Sequence, residues 1–260
     1  MASTATRGWR ARIMTGLALI GSCLLSSEAA ATTFSVSPTR VELKPGATSS
    51  VITVTNTGTV MTRFQVSAFS WDQGADGSMR LEDTRDIVFY PPLVEIGPGE
   101  SRRIRVGTTA TMSALERTFR LFVEELPDNV EQDPDLGVHV RARMGIPVFV
   151  GGAPGQPSVT IEDARAADGR VSLRLRNAGS VHVAPSSVTV TGLTDTNAVV
   201  FEQQVPVWYL LAQHTLAVAA EVDGAKCAGV ALVQLVARFE GGRVVTTRVP
   251  VTGRLCSEPR

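Results

Sequence analysis

Three observations predict an all-β chain made of two sandwich domains. Apolar residues recur with a period of two, not 3.6, from Phe34 onward. Turn residues interrupt that alternation at intervals of about ten residues, the spacing of short sandwich strands. A Gly/Pro-rich run, Gly151-Gly152-Ala153-Pro154-Gly155-Gln156-Pro157, then divides the chain into two halves. Each half has about 100–120 residues, the usual size of an immunoglobulin-like sandwich.

In the first half, Val51-Ile52-Thr53-Val54-Thr55 is β-branched throughout and ends on the turn residues Asn56-Thr57-Gly58. Phe64, Val66, Ala68 and Ser70 then share one face of a strand, and Asp76-Gly77 marks the next turn. Gly97-Pro98-Gly99 precedes an alternating strand carrying Ile104 and Val106. Met112 to Arg117 is the one helix-like piece, Phe119 to Leu126 is a strand stopped by Pro127, and Val138 to Val150 is a long last run. In the second half, strands are expected at Val159–Ile161, Val171–Leu175, Val188–Val190, Val199–Val205, Leu216–Val222, Val230–Phe239 and Val244–Val251. Asn56-Thr57-Gly58-Thr59-Val60 and Asn177-Ala178-Gly179-Ser180-Val181, 121 positions apart, form a faint repeat between the halves.

Composition removes several classes of function. Of 260 residues, 43% are hydrophobic and 19% charged, with 25 basic against 25 acidic side chains. That balance, without a long basic run, argues against a partner held by phosphate electrostatics, so no nucleic acid is expected. Arg7, Arg10 and Arg12 precede the 13-residue apolar stretch Ile13–Leu25, and Ala29-Ala30-Ala31 follows as a small-residue cleavage site. This is a secretory signal-peptide pattern over residues 1–31. The stretch is shorter than the roughly 20 residues that span a bilayer, so no stable membrane insertion is expected. Ile20-Gly21-Ser22-Cys23 loosely resembles a lipid-attachment box, but Leu24 and Leu25 continue the apolar run beyond it. Cleavage after Ala31 takes three arginines and Glu28 away and leaves a net charge near −2. It also leaves two cysteines, Cys227 and Cys256, which in an oxidising compartment are expected to form a structural disulfide.

A series of motifs in the first half resembles the periplasmic chaperones of chaperone–usher pilus assembly. In order, they are Phe34-Ser35-Val36-Ser37-Pro38-Thr39-Arg40-Val41, Leu43-Lys44-Pro45-Gly46, Phe89-Tyr90-Pro91-Pro92, and Ile96-Gly97-Pro98-Gly99-Glu100-Ser101 leading into Ile104-Arg105-Val106. Glu116-Arg117-Thr118-Phe119-Arg120-Leu121-Phe122, Glu124-Glu125-Leu126-Pro127 and Gly145-Ile146-Pro147-Val148-Phe149-Val150 follow. Arg120-Leu121-Phe122 and Ile146-Pro147-Val148-Phe149 are closer to the archaic, spore-coat-U-associated branch. The resemblance implies an L-shaped pair of domains, 32–150 and 158–260, joined by the linker 151–157. It also implies a pilin-like or spore-coat-U-like subunit and an outer-membrane usher as partners, a periplasmic location, and no cofactor.

In such systems the chaperone lends an edge strand to a subunit that lacks its last strand, a case of β-augmentation. Here the matching donor strand is 138–148, with Val138, Val140, Ala142, Met144, Ile146 and Val148 on one face. The plain alternative is that these side chains fill the domain's own core, and both readings can hold at opposite ends of the strand. The family also anchors the subunit's terminal carboxylate on basic residues. Arg40 stands at the first-strand position. The last-strand lysine of the P-pilus branch is replaced by Pro147, which leaves Arg120 as the preferred substitute and Arg143 as the second. A guanidinium suits a carboxylate because it offers two parallel hydrogen bonds. For each arginine the bland reading is a solvated strand residue.

No nucleophile elbow, phosphate loop or zinc-protease sequence is present, and His139, His182 and His214 are scattered, so no enzyme and no metal site is expected. Asp128, Glu131, Asp133 and Asp135 lack calcium-loop order and read as a solvated loop. Trp71, Trp208 and Tyr209 fit a core or an interface equally well. The competing function class is a secreted structural or adhesive protein of two sandwiches, with a sandwich hydrolase third.

Overall fold

The computed structural model describes residues 34–127, 141–151, 155–224, 227–253 and 255–256. The expected signal peptide, Val138 and Val140, the acidic loop and part of the linker lie outside the described residues. The first sandwich comprises β1 (Phe34–Ser37), β2 (Val41–Leu43), β3 (Ser49–Asn56), β4 (Thr62–Gln73), β5 (Met79–Asp83), β6 (Ile87–Tyr90), β7 (Leu93–Ile96), β8 (Ser101–Thr108), β9 (Arg117–Glu125) and β10 (Arg143–Val150). One sheet has the order β1-β3-β8-β6. The other has the order β2-β10-β9-β4-β5, with β7 also paired to β4.

Period-two alternation sends one face of each strand inward. Ile52 lies opposite Ile104 across β3 and β8, and both are fully buried. Phe119, Leu121 and Val123 of β9 meet them from the second sheet, beside Phe64, Val66 and Ile146. Burying a side chain of this size contributes about 1.5–3 kcal/mol relative to leaving it in water, so this cluster dominates the domain's stability.

The second sandwich contains β11 (Val159–Ala167), β12 (Arg170–Asn177), β13 (Pro185–Leu193), β14 (Val199–Val205), β15 (Thr215–Glu221), β16 (Leu232–Phe239) and β17 (Val244–Pro250). Its sheets run β11-β12-β15 and β14-β13-β16-β17. Leu173, Leu175, Val188, Val218 and Leu235 fill its separate core. The Cα atoms of Cys227 and Cys256 are 5.5 Å apart, and their sulfurs face each other.

The faint repeat is a repeated structural device. Asn56 ends β3 and Asn177 ends β12, and both are fully buried. Asn56 Nδ2 donates to Val60 O (2.7 Å) and Ile96 O (2.8 Å), while its Oδ1 accepts from Gly58 N (2.8 Å). Asn177 Nδ2 donates to Val181 O (2.8 Å) and Leu211 O (3.2 Å), and its Oδ1 accepts from Gly179 N (3.0 Å). In each half the side chain replaces a strand partner that the turning backbone has lost.

One local expectation fails. The segment expected to be helix-like, Met112–Arg117, is irregular up to Glu116, and Arg117 already opens β9. Six residues are too few to offset helix nucleation without tertiary support. Here the backbone is held instead by Glu116 N donating to Ser180 O of the second sandwich at 2.9 Å. A short 3-10 piece occurs instead at Glu240–Gly242.

Candidate functional site: the open strand edge and the buried arginine

β10 is paired along its whole length on one side only. Residues Arg143–Val150 run antiparallel to β9, whereas β2 covers the other side solely at Val148–Val150. From Arg143 to Pro147 the second side therefore has no strand partner among the described residues. Ala142 O accepts from Glu125 N at 3.1 Å, which aims residue 142 at β9. The antiparallel ladder then turns the main-chain groups of Arg143 and Gly145 to the open side, where Gly145 O accepts from Arg120. Pro147 has no N–H to leave unpaired, and so terminates this edge cheaply.

The apolar face of β10 changes character along its length. Ile146 and Val148 are 1% and 0% exposed and belong to the first core. Val148 is also paired on both sides, so the open stretch ends before it. Ala142 and Met144 are only half-buried and sit at the margin of that core.

The opposite face of the same sheet carries the charged candidates. Arg120 lies across from Pro147 on one neighbour strand and from Phe69 on the other. Its side chain is 1% exposed, the largest fully buried side chain described. The guanidinium carbon is 4.1 Å from the ring centre of Trp71 and 4.4 Å from that of Trp208. Nη1 donates to Gly145 O at 3.3 Å. Among the described residues no carboxylate neutralises it, and burial pulls its pKa down to about 10. The group remains charged at neutral pH.

Arg40 sits apart from this pocket. Its Nη1 meets Glu240 of the second sandwich at 2.8 Å, and its Nε meets Glu42 at 3.3 Å. Hydrogen bonding to Glu240 and, less strongly, to Tyr209 raises its pKa against the effect of desolvation. Arg143 lies further out along β10, with its guanidinium 3.9 Å from the Phe122 ring centre and Nε 3.4 Å from Glu124. Gly145 is the residue opposite Phe122, and a Cβ there would come within 2.9 Å of that ring. The three arginines thus occupy three environments: paired, buried without an anion, and stacked at the rim.

The aromatic residues that sequence alone left undecided join the two sandwiches. Trp71, Phe149 and Leu211 form a separate buried cluster, with Tyr209 packed against it. Tyr209 meets Trp71 edge-on at 5.9 Å, and Phe149 stacks on His182 at 3.5 Å. Gln73 donates to Tyr209 O at 2.6 Å and accepts from Leu211 N at 3.2 Å. His182 Nδ1 lies 2.7 Å from Glu116, and His214 Nε2 lies 2.6 Å from Asp72, so both histidines serve this contact. The strand register held a usable signal. Phe64, Val66 and Ala68 face the core, which leaves Phe69, Trp71 and Gln73 of β4 on the far face, where three large side chains need a cover.

Among the described residues no cluster of His, Cys, Asp or Glu is arranged to hold a metal ion, and no helix is long and apolar enough to cross a membrane.

Comparisons with known proteins agree on the fold. Residues 33–153 match the family model described as pili and flagellar-assembly chaperone, PapD N-terminal domain. No curated protein is significantly similar to the chain in sequence. Among solved structures, the chain resembles the chaperone–tip adhesion subunit pre-assembly complex of the archaic chaperone–usher Csu pili of Acinetobacter baumannii. That match has 19% identity and a TM-score of 0.53, over 86% of this chain and 100% of that one. The Salmonella enterica SafA pilin–SafB chaperone complex matches at 13% identity and a TM-score of 0.54, over 84% of this chain and 97% of that one. The E. coli chaperone DraB matches at 18% identity and a TM-score of 0.53, over 85% and 97%. At these identities the likeness is one of fold: two immunoglobulin-like sandwiches arranged as in known pilus chaperones.

Proposed function

We propose that this chain is an exported chaperone of pilus or coat assembly. It binds an incomplete β-sandwich subunit by lending it the edge of β10, and passes that subunit to an outer-membrane usher. The observation that carries the reading is the one-sided pairing of β10 from Arg143 to Pro147, flanked by the half-buried apolar rim of Ala142 and Met144. An isolated globular domain normally closes or blunts such an edge, because it templates pairing with other chains. Main-chain groups there would pair with a subunit strand, while apolar side chains on alternate positions would enter its groove. Val138 and Val140 would extend the donated segment. Ile146 links it to the chaperone's own core, and Val148 belongs to that core.

Arg120 is the preferred anchor for the subunit's terminal carboxylate, because it is a buried cation with no anion of its own among the described residues. Arg40 would contribute a second positive charge after exchanging its pairing with Glu240, and Arg143 would act at the rim. Residues 1–31 would direct export to the periplasm and be removed there. The Cys227–Cys256 bond would form in that compartment. No bound cofactor is required, since completing the subunit's fold can itself drive release.

The test is periplasmic co-expression with the pilin-like subunit encoded beside this chain, followed by purification on a tag. Wild type should give a soluble one-to-one complex. Met144→Asp, which places a charge on the apolar rim, should abolish it, and Arg40→Ala should weaken it. Equal recovery of subunit with all three chains would mean that β10 is not the donated strand. Failure of wild type to hold any neighbouring subunit would favour a structural or adhesive role.

A further inference from the structure

Among the described residues, three buried side-chain nitrogens lack a hydrogen-bond partner: Arg120 Nε, Arg120 Nη2 and Trp71 Nε1. All three are donors, and they belong to side chains in contact, the Arg120 guanidinium carbon standing over the Trp71 ring 4.1 Å from its centre. A buried donor left unmade costs about 1–3 kcal/mol, so three together mark a place where an acceptor is missing. Nε and Nη2 are moreover the adjacent pair that a carboxylate takes side-on, with two parallel hydrogen bonds. The remaining amino group, Nη1, is already engaged with Gly145 O. The ligand that fits is planar, anionic and free of donors.

The second sandwich covers these donors. Trp71 is 4% exposed and is held on β4 between Phe149, at 6.2 Å, and Tyr209, at 5.9 Å. Trp208 is 56% exposed and lies outside any strand, in the connection after β14. Its ring nevertheless lies 4.4 Å from the Arg120 carbon. An indole over a guanidinium supplies a cation–π contact that partly replaces a missing anion. Being half in solvent, Trp208 can leave without opening a core.

We infer that Arg120 and Trp71 form a carboxylate slot, with Trp71 Nε1 as its third donor, and that Trp208 is the lid that stacks on the empty slot and is displaced by the arriving carboxylate. The inference rests on the chaperone reading and deepens it: the anchor is closed in the free chain and opens with the subunit's C-terminus. Trp208 belongs to the second sandwich, so carboxylate entry would be felt there, at the aromatic contact between the sandwiches.

Removal of residues 1–31 takes Trp9 away, so the exported chain carries Trp71 and Trp208 as its sole tryptophans. Labelled with 5-fluorotryptophan, it should give two fluorine resonances, assigned by Trp208→Phe. The probe is a synthetic peptide of the subunit's C-terminal strand, prepared as the free acid and as the terminal amide. The free acid should shift both resonances and expose Trp208 to a paramagnetic quencher, while the amide should not. Trp71→Phe, which lacks the indole donor, should bind the acid about tenfold more weakly, the size of one lost charge-assisted hydrogen bond. Trp208→Ala should bind it faster than wild type. Acid and amide behaving alike, whether both move the resonances or neither does, would overturn the slot and its lid. That result would leave the chaperone reading standing if the co-expressed complex forms. Loss of that complex would remove the reading itself.

Discussion

The Arg120 guanidinium and the Trp208 indole belong to different sandwiches and meet at 4.4 Å, and among the described residues no acidic side chain pairs with that cation. A buried cation held by two rings and one carbonyl is poorly compensated. Its pKa of about 10 reflects a desolvation cost of up to roughly 3 kcal/mol. Two cation–π contacts return about 0.5–2 kcal/mol each. Arg120→Met should therefore leave the free chain at least as stable as wild type, within about 1 kcal/mol, while lowering subunit affinity more than tenfold. Urea unfolding and pull-down measure the two halves of this prediction. A stability loss above about 2 kcal/mol would make Arg120 a structural residue.

The same burial fixes a pH dependence. A base with a depressed folded pKa binds fewer protons folded than unfolded, between about 10 and the ordinary arginine value. Wild-type stability relative to Arg120→Met should stay level from about pH 6 to about pH 9 and rise above about pH 10. Differences in urea midpoint between the two chains cancel the titration of groups that do not interact with Arg120, which leaves Tyr209 as the one coupled group to account for. A difference that already changes below about pH 9 would contradict the assignment.

Asn56 and Asn177 should each be costly to remove, and to the same extent. Asn56→Ala strips a donor from Val60 O and Ile96 O, and Asn177→Ala does so for Val181 O and Leu211 O. Each also takes the side-chain acceptor away from a turn N–H, Gly58 N or Gly179 N, so each should cost about 2–4 kcal/mol. The two sites share no partner and sit in separate cores, so the double variant should be additive within about 0.5 kcal/mol. Chemical unfolding of the full chain reads this directly. A cost below about 1 kcal/mol at either site would mean that water takes over the lost bonds.

The strands were legible because alternation is a local signal, and Ile52, Phe64, Ile104 and Phe119 each sit on the face that the period of two assigns them. The repeated Asn-x-Gly turn was visible too, but not its use, since Asn-x-Gly occurs in many turns and only burial makes Asn56 and Asn177 alike. Met112–Arg117 misled because its composition carries helix propensity, while the long-range bond from Glu116 to Ser180 decides its conformation. The site was half legible. Arg120 alternates with the core-facing Phe119 and Leu121, which sets it on the other face, yet nothing local says that Trp71 and Trp208, 137 positions apart, close over it. The core alternation of β10 also runs unbroken into its open edge, so where Val148 stops and Met144 begins to be available depends on the length of β2.

The disulfide has its own test. A bond between Cys227 and Cys256 closes a loop 29 residues long, and in the chain-entropy model this adds about 3–4 kcal/mol. Cys227→Ala should lower stability by about 2–4 kcal/mol, and reductant should lower wild type by a similar amount while leaving the variant unchanged. Thermal unfolding with and without reductant separates these outcomes. Insensitivity of wild type to reductant, with two free thiols on titration, would show the cysteines unbonded.

Arg40 should behave oppositely to Arg120, because its charge is already answered. It is about one-third exposed and bridges Glu42 and Glu240 across the two sandwiches. An exposed ion pair contributes about 0–1 kcal/mol, so Arg40→Ala should cost less than about 1 kcal/mol in stability. For a subunit carboxylate to use Arg40, it must compete with Glu240. Glu240→Gln should therefore strengthen subunit binding by a few-fold, and Arg40→Ala should weaken it by less than Arg120→Met does. The Glu240→Gln gain should also shrink in high salt, where screening weakens the competing pair. Binding measured for the three variants at low and high salt tests the ranking. A larger loss for Arg40→Ala than for Arg120→Met would move the carboxylate from the aromatic pocket to the first strand.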